Sequence, residues 1–294
     1  MSDHTSERRA VGFGLTAVMA WATVATAFKL TLRHVDPYQL LLLATVFSLL
    51  SLGSVLAVQG KLPLLLRASR RQYLLCLGLG LLNPFLYYVV LFRAYDLLPA
   101  QIAQPLNYTW ALTLSWLAVP ILGHRLGRRD VLAGLVCYSG VLIISTGGRL
   151  VDLQGVSLLG VALALGSTVI WALYWLANAR SDLDPVVGLF LGFLFAAPFV
   201  LAVTLAFSGL PHSLPGLLGG AYVGAVEMGF TFAVWLAALR LTTSTARIAN
   251  LIFLSPFVSL VLIHFVLGEH VVPATFVGLV LIVAGLRLQS PRPA

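Results

Sequence analysis

A single acidic residue lies in the middle of a long apolar stretch. Glu227 stands in YVGAVEMGFTF (222–232), whereas the other nine of the ten aspartates and glutamates fall in tails, loops or predicted helix ends. A carboxylate at the centre of a membrane span is costly and usually faces a cavity or a partner side chain. Glu227 is therefore a candidate for contact with a substrate amine or for proton binding. The alternative is a protonated carboxyl that holds two helices together.

Amide and aromatic side chains recur at helical spacing in two further apolar stretches. Asn83 and Tyr87 are four residues apart, and Gln104, Asn107 and Tyr108 share one face of a helix by the same spacing. Asn83 is also the approximate counterpart of the acidic residue in a sequence repeat described below. These side chains either bind a polar substrate or satisfy one another inside the helix bundle.

Three tryptophans extend this group. Trp110 follows Tyr108 by two residues, and Trp21 and Trp171 stand in similar local sequences. Tyrosine and tryptophan are common at the membrane interface. However, Tyr87, Tyr108 and Trp171 fall deeper in their apolar stretches than an interfacial belt would place them. They therefore either line a cavity or pack in the helix core.

Arg247 is the other unusual charge. It stands in ARIAN (246–250), at the position that Gln101 occupies in AQIAQ (100–104). Glu227 would lie roughly 16 Å deep at 1.5 Å per residue, whereas Arg247 is only about one turn into its helix. Two explanations of Arg247 therefore compete. Its side chain either snorkels toward the headgroups or makes a structural bond, or it forms a gating pair with Glu227. Gln101, at the matching place in the first half, has the same two possible roles, gating or structural.

Prolines and glycine pairs mark breaks and close contacts in the predicted helices. Broken helices at corresponding places in a chain are typical of transporter binding sites. Glycines four residues apart allow helices to approach closely, and we expect them in internal packing. The prolines that interrupt predicted spans are Pro84, Pro105, Pro198 and Pro256, and the glycine pairs are GLFLG (188–192) and GAYVG (220–224).

The composition predicts an integral membrane protein. The 294 residues are 60% hydrophobic and 10% charged, whereas soluble domains have about 25% charged residues. The net charge of +8 comes from short basic clusters between apolar runs, which argues against nucleic-acid binding. Cys76 and Cys137 have no metal, redox or disulfide spacing. The histidines are scattered, so we expect no metal and no cofactor.

Ten apolar segments are long enough to cross a bilayer, which needs about 20 residues. The first could instead be a cleaved signal peptide, but it has a counterpart later in the chain. With the N-terminus inside, 13 of the 18 basic residues are cytoplasmic, so both termini are predicted there. The predicted spans are 10–30, 38–58, 72–94, 99–121, 130–147, 155–179, 185–207, 216–238, 244–267 and 272–289.

The two halves of the chain resemble each other in order. AWA and IWA, two Asp-Pro pairs, AQIAQ and ARIAN, and two Leu-Gly pairs recur in order at offsets of 150, 148, 146 and 145 residues. We therefore predict an all-α fold with two inverted five-helix repeats, 10–150 and 151–289. Cytoplasmic tails of residues 1–9 and 290–294 flank the repeats. An odd number of helices per repeat inverts the second half, which favours alternating access by a secondary transporter.

Three segments resemble a known family. LSPFVSLVLIHFVLGE (254–269), EMGFTFAVWLAALRL (227–241) and LNYTWALTLSWLAV (106–119) look like the ten-helix EamA branch of the drug/metabolite transporter superfamily. They are most similar to the YddG aromatic amino-acid exporters. The resemblance implies a central cavity near Trp21, Tyr87, Tyr108, Trp110, Trp171 and Glu227. The two halves differ in one family-like feature: the glycine–glutamate pair at 268–269 corresponds to glycine–histidine at 123–124 in the first half.

The sequence thus predicts a monomeric inner-membrane exporter of amino acids that is not an enzyme. Asn83 and Asn107 complete the expected substrate site. A nucleotide sugar or phosphorylated metabolite is the alternative substrate, but it would require several inward-facing basic side chains. Lys29 and Arg247 are the only candidates for that role. An intramembrane enzyme is the other alternative, and no G-x-S-x-G nucleophile motif is present.

Overall fold

The computed structural model describes residues 2–122, 128–148, 156–178, 181–242, 248 and 251–289. Their regular structure is entirely helical, as predicted. The helices are α1 Ser2–Ala22, α2 Val24–Thr31, α3 Pro37–Val58, α4 Arg70–Gly80, α5 Tyr87–Leu97, α6 Ala100–Tyr108, α7 Trp110–Leu122, α8 Arg128–Ser145, α9 Leu158–Asn178, α10 Pro185–Phe207, α11 Leu214–Tyr222, α12 Thr231–Leu241, α13 Ser255–Leu267 and α14 Pro273–Gln289. Short 3-10 helices cover Leu62–Leu66 and Ile252–Leu254, and π-helical segments cover Leu81–Leu86 and Val223–Phe230.

Several helical runs have the length and apolar character of membrane spans. Within the described residues six runs qualify, and three further apolar helices are shorter. The six are Ser6–Thr31, Pro37–Val58, Arg70–Leu97, Leu158–Asn178, Pro185–Phe207 and Leu214–Leu239; the shorter helices are Val131–Ser145, Ile252–Leu267 and Pro273–Leu288. Because α1 begins at Ser2, residues 2–9, predicted as a tail, belong to this helix.

Two long helices begin and end with the same local chemistry. The side chain of Asp36 caps α3 and that of Asp184 caps α10, each accepting hydrogen bonds from backbone N–H groups two and three residues on. A proline follows each aspartate at the first helical position, where its missing N–H costs nothing. Both helices are followed by a glycine with positive φ, Gly60 at 65° and Gly209 at 78°, a conformation that favours glycine.

The α-helical pattern changes within two of the long helical runs. Asn83 adopts extended dihedral angles, φ −144° and ψ 118°, within the π-helical segment between α4 and α5. The second π-helical segment, Val223–Phe230, joins α11 to α12 without leaving helical geometry. Pro198 lies inside α10, which continues through it, so the expectation that this proline interrupts its span is wrong.

The chain divides into two compact units. Unit 1 contains residues 1–85 and 181–262, and unit 2 contains residues 86–180 and 263–294. Each unit therefore includes segments from both predicted repeats.

Glycines set the closest helix contacts within unit 1. A Cβ atom at Gly80 of α4 would lie 2.2 Å from the carbonyl oxygen of Gly192 in α10. A Cβ at Gly224 would lie 2.3 Å from the carbonyl oxygen of Ala44 in α3, and one at Gly220 would meet Leu43. Larger residues cannot fit these positions without separating the helices. The predicted packing role of the glycine pairs is confirmed at Gly220 and Gly224, whereas a Cβ at Gly192 would make only an ordinary contact, 3.7 Å from Cα of Gly80.

Unit 2 includes a similarly tight helix pair. Gly140 of α8 and Gly278 of α14 face each other, because a Cβ on either would lie about 2.5 Å from the carbonyl oxygen of the other. One turn further along, the thiol of Cys137 donates to the carbonyl oxygen of Ile282 at 3.3 Å. Cys137 is therefore a buried packing residue, as expected for a small apolar side chain.

Candidate functional site

Five aromatic side chains in unit 2 form a cluster around Trp171 of α9. We refer to Tyr87, Trp110, Trp171, Tyr174 and Trp175 as the aromatic cluster. The centroid of Trp171 lies 4.6 Å from Tyr87 and 5.5 Å from Tyr174, with ring planes within 30° of parallel. Trp110 and Trp175 present their edges to Trp171 at 6.4 and 5.8 Å. These are the offset and edge-to-face geometries that aromatic rings prefer.

A line of hydrogen bonds runs beside the aromatic cluster. The hydroxyl of Tyr87 donates to Oδ1 of Asn107 at 3.3 Å, and Nδ2 of Asn107 donates to Oγ of Ser167 at 2.9 Å. The Ser167 hydroxyl in turn donates to the carbonyl oxygen of Ala164 at 2.6 Å. Asn107 therefore links α5 to α9, and its amide is held in one orientation by both neighbours.

The chain turns between Asn107, near the end of α6, and Trp110, at the start of α7. Helix α6 ends at Tyr108, and Thr109 turns the chain before α7 begins. The Thr109 hydroxyl donates to the carbonyl oxygen of Leu106 at 2.8 Å. Pro105, one turn earlier, lies inside α6 and removes one backbone N–H donor. Further along α7, the hydroxyls of Thr113 and Thr168 are 2.9 Å apart and fix α7 against α9.

One polar atom of the aromatic cluster has no hydrogen-bond acceptor among the described residues. The indole nitrogen of Trp175 is buried, as is the amide oxygen of Gln104 on α6, which also has no donor in the same part of the chain. Buried polar groups without partners cost free energy. Unit 2 therefore holds one buried donor and one buried acceptor that no described residue satisfies.

The first turn of α6 is anchored by a loop that is distant in sequence. The carboxylate of Glu269 accepts hydrogen bonds from the backbone N–H groups of Ala100 at 2.9 Å and Gln101 at 3.2 Å. The Gln101 side chain donates to the carbonyl oxygen of His270 and accepts from Val272 N and the Thr275 hydroxyl. Gln101 thus has a structural set of contacts, one of the two roles predicted for it.

Glu227 lies in unit 1, in the π-helical segment Val223–Phe230. Its side chain is 8% exposed. The hydroxyls of Ser48 and Ser51 on α3 donate to the carbonyl oxygens of Gly224 and Ala225 at 2.9 and 3.1 Å. These bonds satisfy carbonyl groups where the α-helical hydrogen-bond pattern changes, and π-helical turns occur frequently at functional sites.

Trp21 and Asn83 also lie in unit 1. The Trp21 ring is 5.5 Å from Phe232 and 5.3 Å from Trp235, both on α12. Asn83 is 3% exposed, and its Oδ1 has no donor among the described residues. Because Asn83 is extended, the helical i, i+4 spacing does not place it on one face with Tyr87.

Four residues of the predicted site, Tyr87, Asn107, Trp110 and Trp171, are joined within unit 2. Tyr108 follows Asn107 there at the end of α6. Trp21, Asn83 and Glu227 belong to unit 1. Arg247 lies outside the described residues, and Pro256 is the second residue of α13, directly after a 3-10 turn.

Sequence reasoning missed three residues of the unit 2 site. Ser167, Tyr174 and Trp175 were not among the candidates, although Ser167 and Tyr174 are four residues before and three residues after Trp171 on α9. This spacing places Ser167, Trp171 and Tyr174 on one face of α9. Helical periodicity around Trp171 was the signal that could have identified them.

Comparison with known proteins agrees with this helical membrane architecture. The sequence model of the EamA-like transporter family matches residues 8–146 and 158–290. The chain belongs to the EamA-like transporter family. Membership covers most of the sequence and matches it in two consecutive segments.

Two relatives are similar to this chain over nearly their whole length. "Uncharacterized transporter YvbV" of Bacillus subtilis strain 168 is 26% identical over 94% of this chain and 89% of its own. "Probable amino-acid metabolite efflux pump" of Salmonella typhimurium strain LT2 is 27% identical over 92% of this chain and 91% of its own. A crystal structure with 23% identity has a TM-score of 0.67 over 95% of this chain and 97% of that one, and shares the fold.

These similarities define the general class of the protein. The family and the names of the relatives point to a multi-pass membrane transporter rather than an enzyme. A transporter of this kind has a small-molecule substrate and a lipid bilayer as its surroundings.

Proposed function

We propose that this protein is a secondary transporter that exports amino acids with aromatic or other apolar side chains, and related small metabolites, by alternating access. The observation that carries the proposal is the aromatic cluster with the Asn107 amide held beside it. Aromatic faces favour a planar or apolar side chain. An amide offers a donor and an acceptor to a carboxylate and an amine.

One relative supports an amino-acid substrate. The Salmonella typhimurium protein is named for amino-acid metabolite efflux, and its similarity covers 92% of this chain. We also propose Tyr108 in unit 2, and Trp21, Asn83 and Glu227 in unit 1, as substrate-binding residues. Within the family, we place the chain with the YddG exporters because of the segments 106–119 and 227–241.

The proposed topology has ten spans in two inverted repeats, with both termini in the cytoplasm of an inner membrane. It is supported by the two consecutive matches of the family model. It is also supported by the matching caps Asp36 and Asp184 and the matching glycines Gly60 and Gly209. We propose that the transporter acts as a monomer.

The alternative substrate class, phosphorylated metabolites, is less compatible with this site. Phosphate groups are bound by clustered arginine and lysine side chains. The aromatic cluster and its hydrogen-bond line contain none. Lys29, in the last turn of α2, belongs to unit 1, and Arg247 lies outside the described residues.

Efflux from proteoliposomes tests the proposal. Vesicles containing the full chain are preloaded with radiolabelled phenylalanine, tryptophan, leucine, lysine or a sugar phosphate, and efflux is followed with and without a pH gradient. We expect efflux of the aromatic and apolar amino acids. Efflux of the sugar phosphate alone, or of no amino acid, would contradict the proposed substrate class.

A pair of variants ties the activity to the site. Asn107→Leu removes both side-chain hydrogen bonds at similar volume, and we expect at least a ten-fold loss of phenylalanine efflux. Gln59→Leu removes an exposed side-chain amide that follows α3 in unit 1, and this variant should transport normally. Equal activity of the two variants would exclude Asn107 from the site.

A further inference from the structure

The outer surface of unit 2 has an apolar groove that the transport site does not use. It lies between α7 and α8 and has a volume of about 450 Å³, within the range of about 300–1,000 Å³ typical of ligand sites. Its lining is almost wholly apolar. The residues that line it are Trp116, Val131, Gly134, Leu135, Tyr138, Ser139 and Leu142.

Gly134 creates the concave shape of the groove. A Cβ atom at this position would lie only 2.3 Å from Cζ2 of Trp116. The indole therefore lies directly against the backbone of α8, with its ring 5.6 Å from Tyr138. Leu135 and Leu142 form exposed walls, with 66% and 52% of their surface accessible.

The groove has the length of one bilayer leaflet. Val131, Leu135, Tyr138 and Leu142 follow one another at intervals of three and four residues, so they form one stripe along α8. From Val131 to Leu142 this stripe extends about 16 Å at 1.5 Å per residue. Half of a hydrocarbon core of about 30 Å is roughly 15 Å.

A positive charge lies at one end of the stripe. Arg128 is exposed and begins α8, three residues before Val131 and on the same helix face. The ion pairs found among the described residues are Lys61–Asp184 and Arg93–Asp96, so Arg128 takes part in neither.

From this combination we infer that the groove between α7 and α8 is a binding site for one anionic phospholipid. An acyl chain lies along Trp116 and the α8 stripe, and the phosphate lies at Arg128. Basic residues at the end of an apolar groove between membrane helices are suited to anionic headgroups. The inference does not depend on which substrate the protein transports.

The size of the groove favours a lipid over a second copy of the chain. A helix about 10 Å in diameter and 16 Å long occupies roughly 1,300 Å³, so it would remain largely outside a groove of about 450 Å³. An extended acyl chain is narrow enough to fill it. The charge of Arg128 also selects an anionic over a zwitterionic headgroup.

Native mass spectrometry of the detergent-purified full chain tests this site. The probes are phosphatidylglycerol, phosphatidylcholine with the same acyl chains, and glycerol phosphate alone. We expect one tightly bound phosphatidylglycerol and weaker binding of the other two. Arg128→Gln should weaken phosphatidylglycerol binding about five-fold, as expected for one basic residue near an anionic headgroup, and Leu135→Trp should abolish it by filling the groove.

Two matched controls separate this site from general lipid contact. Arg70→Gln neutralises an exposed arginine at the same helix position in α4, and Leu132→Trp changes an exposed leucine that does not line the groove. Both should bind phosphatidylglycerol normally. Four results would each overturn the inference. The wild type could bind both phospholipids equally, or bind glycerol phosphate as well as phosphatidylglycerol. Leu135→Trp could still bind phosphatidylglycerol, or the wild type could form a lipid-free dimer that Leu135→Trp dissociates.

Discussion

The side chain of Asn107 is held by hydrogen bonds on both sides. Tyr87 donates to its oxygen, and its nitrogen donates to Ser167. Such fixed donors and acceptors bind a ligand with less loss of conformational entropy than mobile ones do. Trp171 is held in the same way by the rings around it, so the proposed site is preorganised.

Removal of the Tyr87 hydroxyl should weaken substrate binding while the fold is retained. Tyr87→Phe keeps the ring against Trp171 but loses the bond to Asn107. A neutral hydrogen bond contributes about 1 kcal/mol, so we expect phenylalanine to bind roughly three- to ten-fold more weakly. Isothermal titration in detergent measures the change.

Tyr38→Phe is the matched control for this substitution. Tyr38 stacks on Phe207 at 5.5 Å in unit 1, and no hydrogen bond of its hydroxyl is described. Its removal should leave the affinity for phenylalanine unchanged. If Tyr87→Phe also had wild-type affinity, the Asn107 orientation would not matter for binding.

Glu227 is the residue on which proton coupling would depend. Among the ten acidic residues it alone was predicted at mid-span, and it is buried in a π-helical segment. If transport is driven by protons, Glu227→Gln should abolish the dependence of efflux on the pH gradient, because glutamine cannot be protonated. Efflux by this variant that still responds to the gradient would locate the proton site elsewhere.

At the scale of elements, α6 depends on a loop from the other half of the sequence. Glu269 caps its first turn, and Gln101 binds the residues that follow Glu269. Because α6 also carries Asn107, the loop between α13 and α14 positions a residue of the proposed site. A carboxylate at a helix N-terminus is favourable because it satisfies free N–H groups and opposes the helix dipole.

Loss of the Glu269 carboxylate should therefore destabilise unit 2. Glu269→Ala is expected to cost about 1 kcal/mol, to lower the thermal denaturation midpoint in detergent and to reduce efflux. Asp96→Ala is the control, since Asp96 pairs with Arg93 at an exposed position, where ion pairs contribute little. Equal denaturation midpoints for Glu269→Ala and wild type would show that the cap is not needed.

Sequence patterns predicted the helices better than their interruptions. Apolar runs and terminal Asp-Pro pairs locate α3 and α10 to within a residue, because both signals are local. The π-helical turn around Glu227 depends on packing against another helix, through the bonds from Ser48 and Ser51, which no local pattern encodes. The extended backbone of Asn83 had a local signal, because a residue before a proline is disfavoured in the α-helical region. The i, i+4 spacing alone put Asn83 and Tyr87 on one helix face and overlooked this effect of Pro84.

At the scale of the whole molecule, the two compact units are not the two halves of the sequence. Unit 1 combines residues 1–85 with residues 181–262. Lys61, which follows α3, forms an ion pair at 2.7 Å with Asp184, the cap of α10. Loops more than 120 residues apart in the sequence are thus joined within unit 1.

Acid should weaken this connection. Burial raises the pKa of Asp184, but the hydrogen bond and charge of Lys61 and the backbone N–H of Val186 more than offset it, so the pKa is below its ordinary value of 3.8. The pair therefore adds stability above about pH 3.8, and this stability is lost as the pH falls through the lower pKa of the folded state.

Lys61→Gln provides the measurement. The variant should denature at a lower temperature than the wild type at pH 7, and the two curves should converge as the pH falls below about 4. A difference that persists unchanged at pH 3 would show that Lys61 stabilises the protein by some means other than the charge of Asp184.

The aromatic cluster also has an optical consequence. Trp171 lies within 6.4 Å of Trp110 and 5.8 Å of Trp175 in fixed orientations, so the electronic transitions of the three indoles are coupled and contribute an intense near-ultraviolet circular dichroism signal. An aromatic amino acid bound at the proposed site would add another oscillator and change this signal. The circular dichroism of the unlabelled protein would then report the occupancy of the proposed site.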